Sequence, residues 1–440
     1  MSSHRSQLPI VDFKARITAL EARLSGQPIL LFAQPQGYRN STVESTYRQD
    51  SSFYYFTGFS ESDAALLIRP DRPWGEGKVS LFLRKRDPVW EMWNGYRLGV
   101  EEATNKLAVD QAHPIDDIWT KLPDLLQGYH SIFYSLGLWP DQDRKVLAVL
   151  RKVRTLGLRS NPPLMSIRDS MEVVAPLRLI KEPVEVARMK EAARITKIAF
   201  ETALEGLRPG INEREVHGVL LGEFLKNGAD MEAYGSIVAG GPRAWCLHYR
   251  DNNQVILQDQ LVLIDAGCQV DNYASDVTRT FPLNRKMTSV QKDLYSIVLE
   301  AQKAAFQECK VGSTWHKVQL ASFRSLSEGL SALKLLDGSV DEILEKQTYK
   351  KFCPHSISHW IGLDVHDAGV YSVNGEHTKF VPGMYFSVEP GFYVNESDES
   401  VPAAYRGIGI RIEDDVLITS EGCDVVTGLI PKELKDLGID

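Results

Sequence analysis

The stretch that most restricts the fold is LVLIDAGCQVDNYASDVTRTFP, residues 261–282. A run of strand-forming apolar residues ends at Asp265. Turn-prone residues follow from Gln269 to Asn272, and a second extended segment carries Asp276 before Pro282. This pattern predicts a β-hairpin centred between Val270 and Asp271, which sets Asp265 and Asp276 directly opposite each other. Opposed side chains have Cβ atoms about 5 Å apart, and like charges there destabilise the sheet. A cation between them would remove the penalty. Downstream, HSISHWIGLDVHD (355–367), SVEPGFY (387–393) and GIGIRIEDD (407–415) add His359, Glu389 and Glu413. Four carboxylates and an imidazole, with no cysteine motif among them, suit one or two hard divalent ions such as Mn²⁺.

A chain of 440 residues holds two or three domains of ordinary size. With 43% hydrophobic and 25% charged residues it has the composition of a soluble globular protein. The net charge of −8 argues against a nucleic-acid partner, since such surfaces carry a basic excess. The N-terminus lacks the apolar core of a signal peptide, and no run of about 18 apolar residues indicates a membrane span. The expected compartment is the cytoplasm. Five cysteines without CxxC pairs (Cys246, Cys268, Cys309, Cys353, Cys423) read as reduced thiols.

The first part of the chain predicts an α/β domain over 1–178. A helix at 12–24 precedes strand candidates PILLF (28–32), FYYFTGF (53–59), AALLI (64–68) and VSLFL (79–83), with helices near 115–126 and 141–156. The stretch EMWNGYRLG (91–99) places Trp93 and Tyr96 beside glycines, where aromatics can line a cleft. A boundary falls near 160–182, where Asn161-Pro162-Pro163 breaks the pattern and Pro183 opens a long helix. Residues 179–440 then read as an α+β domain. The helix carries Met189, Ala193, Thr196 and Phe200 on its buried stripe, and Asn212 with Glu215 forms a capping box for the next one. After the hairpin the order recurs, with helices near 289–310 and 314–334 and then strands. Two helix-helix-sheet units suggest a pseudo-symmetric domain with its site between the halves.

His355 and His359 are four residues apart, but the β-branched, glycine-containing segment SISHWIGL predicts an extended conformation. On a strand that spacing spans about 13 Å, so only one of the two can ligate directly. His355 and His366 then fall to the substrate side or to the support of the ligands. Glu389, in a Glu-Pro-Gly turn, needs a cation if it faces the interior. Alternation places Arg411 and Glu413 on one face and Ile410 and Ile412 on the other, with Asp414 and Asp415 as the solvent-exposed charge. The four acidic charges are balanced by two divalent ions, and such a pair can activate water and polarise a carbonyl.

The motifs YRQDSSFYYFTGF, IDAGCQVDNYASDVTRTFP, HSISHWIGLDVHD, VEPGFYV and YRGIGIRIEDD, in this order, resemble the pita-bread metallopeptidases and most closely the aminopeptidase P family. The resemblance covers nearly the whole chain. It implies a creatinase/prolidase-like N-terminal α/β domain and a C-terminal α+β pita-bread catalytic domain. It also implies a dinuclear Mn²⁺ centre with Asp265 on one ion, Asp276 and Glu413 bridging, and His359 with Glu389 on the other. His248 and His366 would hold the substrate carbonyl or developing oxyanion, and Glu389 would double as proton acceptor. His355, Tyr393, Arg411 and Trp93 would shape the proline pocket. The implied reaction is attack of a metal-bridging hydroxide on the N-terminal Xaa-Pro bond of peptides with proline second, by a homodimer or homotetramer. Prolidase, which cuts only Xaa-Pro dipeptides, is the alternative within this chemistry, and a non-catalytic peptide-binding module is the alternative outside it. The segment Asn40–Val43 lacks an acidic residue expected in a loop that some relatives insert into a neighbour's site.

Overall fold

A computed structural model describes residues 8–157, 164, 166–283 and 285–439. The expected break at Asn161-Pro162-Pro163 lies outside the described residues. The chain forms two compact units, Val11–Leu177 and a second made of Arg178–Asp440 with the segment ending at Ile10.

The first unit is built on a mixed six-stranded sheet. Its order is Gln111–Pro114, Val79–Leu83, Ala65–Ile68, Ile29–Phe32, Ser131–Phe133 and Ser166–Arg168. Ile29–Phe32, Ala65–Ile68 and Val79–Leu83 pair antiparallel, and the outer pairs are parallel. Leu30, Phe32, Leu67 and Phe82 pack against Ile118, Leu122, Val146 and Leu150 of the helices Ile118–Leu125 and Pro140–Gly157. The segment read as the strand FYYFTGF is instead the helix Ser51–Thr57. Asp50 caps its start, accepting from Phe53 N–H at 2.8 Å, and Gly58 ends it in the left-handed conformation, returning its N–H to Tyr54 O. Two good caps on a short buried segment outweigh the β-propensity of its aromatics. Trp93 lies on the helix Pro88–Asn94 and is 76% exposed.

In the second unit the helices Pro183–Gly206 and Glu213–Lys226 precede antiparallel strands, and the helices Ser289–Gln307 and Trp315–Ala332 precede a second antiparallel group. Capping boxes start three of these helices, Glu182 with Glu185, Asn212 with Glu215, and Thr288 with Gln291. One continuous apolar core joins helix residues Ala199, Phe200, Leu220, Val298 and Leu326 to strand residues Val262, Ile264, Phe386, Val388, Ile410 and Ile412. The period of two along each strand turns the alternate residues, Asp265 and Arg411 among them, to the opposite side, and Glu389 follows directly after the strand Tyr385–Val388. Helix-covered apolar faces thus position the polar groups. Among the described residues no helix is long and apolar enough to cross a membrane.

Three local expectations need correction. The hairpin register is Gln269 with Ala274 and Val270 with Tyr273, so the turn is centred between Asp271 and Asn272. Both residues have positive φ, 49° and 66°, as a two-residue type I′ turn requires, and Asp and Asn tolerate this better than Val does. Next, 355–359 is neither a regular strand nor a helix, so the spacing rule for a strand does not apply. Finally, Asp414 and Asp415 are fully buried. Asp414 accepts from Arg279 at 2.7 Å, Gln302 at 3.1 Å and Thr427 at 2.8 Å, and also pairs with Lys432. Asp415 accepts from the Tyr385 hydroxyl and the Asp276 N–H, each at 3.2 Å.

Candidate metal centre and substrate cavity

Asp265 ends the strand Leu261–Asp265, whose cross-strand partner there is Thr278 rather than Asp276. The two aspartates are therefore diagonal neighbours, and they converge because the hairpin is pinched at Gly267. A Cβ on Gly267 would stand 1.8 Å from the Ser275 carbonyl oxygen, so only glycine admits this approach. The Tyr234 hydroxyl meets Asp265 Oδ1 at 2.6 Å and also contacts Asp276 Oδ1. Its single proton can serve only one of the two carboxylates.

On the facing strands, Arg411 donates from Nη2 to Asp265 Oδ2 at 2.6 Å and from Nε to the Thr278 hydroxyl at 2.9 Å. The Thr278 hydroxyl in turn donates a hydrogen bond to Glu413 Oε2 at 2.6 Å. His359 Nε2 lies 3.4 Å from Asp276 Oδ2 and 3.4 Å from Glu389 Oε1. Its Nδ1 is 3.2 Å from the Trp360 carbonyl, which holds a proton on Nδ1 and leaves Nε2 as the ring atom facing the acids. Donor atoms of Asp276, His359 and Glu413 all lie within 4.8 Å of one another, a group able to hold a metal ion.

The electrostatics show what the site lacks. Burial, reinforced by Asp276, Glu389 and Asp265, drives the Glu413 carboxyl well above its ordinary range. Burial raises Asp265 as well, against the pull of Arg411, and lifts Glu389 to about 7 despite His359 and Arg411. Burial opposes charge on His359, but its hydrogen bond to Asp276 and the charges of Glu389 and Asp276 prevail and raise it to about 9. A cluster that resists its own ionisation and favours positive charge at its centre calls for cations. Arg411 offsets one of the four acidic charges. A single divalent ion leaves the cluster acidic, whereas two exceed the acids by one charge, room for one anionic ligand. The oxygen-rich donor set with one imidazole fits hard divalent ions.

All five expected ligands line one cavity of about 380 Å³, together with His248, His355, His366 and Arg411. The His366 ring meets that of His359 edge-on, with centroids 4.3 Å apart. His355 Nδ1 lies 3.8 Å from Glu389 Oε2, so His355 and His359 both reach Glu389, contrary to the separation expected on a strand. Burial, with Arg411 adding to it, pushes His355 down to about 4. The Tyr393 hydroxyl joins His355 Nε2 at 3.0 Å to Arg411 Nη1 at 2.9 Å. Trp93 belongs to the other unit. Sequence reasoning missed Tyr234 and Thr278. Thr278 was accessible, standing two residues after Asp276 at the start of the strand Thr278–Pro282, while Tyr234 sits in a loop with no pattern to mark it.

Four acidic side chains and one histidine, at the ends of helix-backed strands and in the turns between them and walled by three further histidines, define a metallopeptidase centre. Residues 187–420 match metallopeptidase family M24, and residues 13–134 match the N-terminal domain of aminopeptidase P. An Xaa-Pro aminopeptidase of Haemophilus influenzae is 38% identical over 438 residues, 99% of this chain and 98% of its own length. The structure of Pseudomonas aeruginosa aminopeptidase PepP matches with a TM-score of 0.93 at 42% identity, covering 97% of this chain and 96% of that one. Zinc-substituted Escherichia coli aminopeptidase P in complex with product matches with a TM-score of 0.91 at 38% identity, over 97% and 96% of the two chains. The chain belongs to metallopeptidase family M24, with the pita-bread fold, and within that family to the aminopeptidase P group.

Proposed function

We infer that this chain is a metal-dependent aminopeptidase that removes the N-terminal residue from peptides with proline in the second position. The observation that carries the reading is the convergence of Asp265, Asp276, His359, Glu389 and Glu413 on one cavity. In this reading Asp265, Asp276, His359, Glu389 and Glu413 would hold the divalent ions. When bound, the two ions, Mn²⁺ here, supply Lewis acidity and a water acidified enough to attack a carbonyl.

The protein's own groups do the rest. His248 and His366 face the cavity as donors for the substrate carbonyl oxygen, a task suited to hydrogen bonds that strengthen as charge develops there. Glu389 accepts the proton of the attacking water and returns it to the proline nitrogen, which must leave protonated. A scissile nitrogen within proline offers no N–H, so recognition has to come from shape. His355 and Arg411 line the cavity and form the wall for the ring, held to each other by the buried Tyr393 hydroxyl. Trp93, exposed on the other unit, is the aromatic offered to such a wall in a homodimer or homotetramer. A cytoplasmic location completes the reading.

The test uses Xaa-Pro dipeptides and Xaa-Pro-Xaa peptides of increasing length with Mn²⁺-loaded protein. Cleavage of tripeptides and longer substrates is expected, with loss on chelation and recovery with Mn²⁺. Turnover confined to dipeptides would make the chain a prolidase, and activity surviving complete metal removal would refute the metal-dependent reading.

A further inference from the structure

His248 stands on no regular element. The strand Ile237–Gly240 runs into a 3-10 turn, Gly241–Trp245, and the chain returns through Tyr249 and Gln254. Beneath this loop lies Glu213, the first residue of the helix Glu213–Lys226 and fully buried. Its Oε1 accepts from Gly240 N–H at 2.9 Å and Arg243 Nε at 2.7 Å. Its Oε2 accepts from the Tyr249 hydroxyl at 2.8 Å and Gln254 N–H at 3.0 Å. The four donors stand at the entry of the loop, within its turn, directly after His248 and at its exit.

Helix capping does not account for this carboxylate. Asn212 and Glu215 already form the capping box, and a negative charge near a helix start needs no contact with a distant loop. A buried carboxylate is tolerated when its lone pairs are filled, and here every donor comes from one segment. The loop also rests on a small apolar cluster in which Leu247 and Tyr249 pack against Ile237, Ala244, Leu263 and Tyr393. It lies close enough to the Arg411 strand that a Cβ on Gly409 would stand 2.1 Å from the Ala244 carbonyl oxygen. Apolar packing sets the height of the loop, and the carboxylate sets its path.

We propose that Glu213 is a positioning residue that, through the loop 240–254, holds His248 at the substrate cavity. The inference rests on the role given to His248 above. Glu213→Gln keeps the shape but sets an amide N–H₂ against donors. In the full-length, metal-loaded protein it is expected to lower kcat on an Xaa-Pro-Xaa peptide about tenfold with KM nearly unchanged, because misplacing a contact to the reacting group acts on the transition state. In a His248→Ala background the same change is expected to alter kcat by less than about twofold, since coupled residues are not additive. Tyr249→Phe, which removes one donor of the four, should show the same dependence on His248 with a smaller effect, and serves if Glu213→Gln fails to fold.

Hydrogen exchange is expected to quicken over 241–254 in either variant while 355–367 stays protected. Equal losses of kcat in both backgrounds would make Glu213 merely structural and overturn the proposal, as would unchanged exchange over 241–254. If the unmutated protein cleaves no Xaa-Pro peptide, the functional reading fails, and the exchange measurement still decides whether Glu213 clamps the loop.

Discussion

Asp276, just before the strand Thr278–Pro282, and Thr278, its first residue, contribute to the centre in different ways. Asp276 offers an oxygen to the metal group, whereas Thr278 relays a hydrogen bond from Arg411 to Glu413. Asp276→Asn removes one of the carboxylate charges of the proposed metal centre and is expected to lower kcat on an Xaa-Pro-Xaa peptide by about a hundredfold or more, with a far smaller change in KM. Full activity in that variant would contradict the assignment. Thr278→Val keeps the volume and deletes the relay. Metal affinity, read by chelator competition, should weaken by about 10–100-fold, the usual effect of losing a group that orients a ligand. Unchanged affinity would mean that Glu413 is held without it. At this scale the donors were legible in the sequence because acids beside apolar strand residues are costly and therefore conspicuous. Tyr234 was not legible, because its role depends on where two other side chains arrive.

At the scale of elements, the hairpin decides whether the aspartates meet. Its sequence announces two strands and a turn, but the turn centre lies one residue further along, which moves each cross-strand partner by two, depending on which pair takes positive φ. Asp271 and Asn272 do so, and Asp265 consequently faces Thr278. The pinch at Gly267 brings Asp276 back to its partner. Gly267→Ala forces the strand off the Ser275 carbonyl, a backbone atom with no rotamer to yield. A loss of about 2–4 kcal/mol in stability is expected, with impaired metal binding, measurable by denaturant titration and metal analysis. Wild-type values in both would show that the pinch is not needed. The 51–57 helix carries the same lesson: its aromatics read as a strand, and the caps Asp50 and Gly58 override them.

For the molecule as a whole, the site's acids make stability depend on metal and pH together. Glu389, at about 7 when folded, lies above its ordinary 4.5. Its contribution is full below the ordinary value and is lost as pH rises through 7. His359, at about 9 against 6.5, contributes fully below 6.5 and loses it as pH rises through 9. His355, pushed down to about 4, acts in the opposite sense, but its change is complete above 6.5. Between pH 6.5 and 9 the metal-stripped site therefore loses stability as pH rises. Metal binding needs the same groups deprotonated, so the gap in Tm between Mn²⁺-loaded and stripped protein should widen over that window. A gap independent of pH would exclude this linkage.

The sequence by itself singled out the acids and the histidines that line the cavity and the apolar strand residues beside them, because burial sorts apolar from polar side chains residue by residue and leaves its period in the chain. It also marked the start of the helix Glu213–Lys226, since the capping box of Asn212 with Glu215 is a contact over three residues. Only the tertiary structure decided that Asp414 and Asp415 are buried among cations and hydroxyls, that His355 and His359 share Glu389, and that Glu213 gathers one loop. Each of these depends on atoms brought close from positions far apart in the chain, and local pattern carries no record of distance between segments.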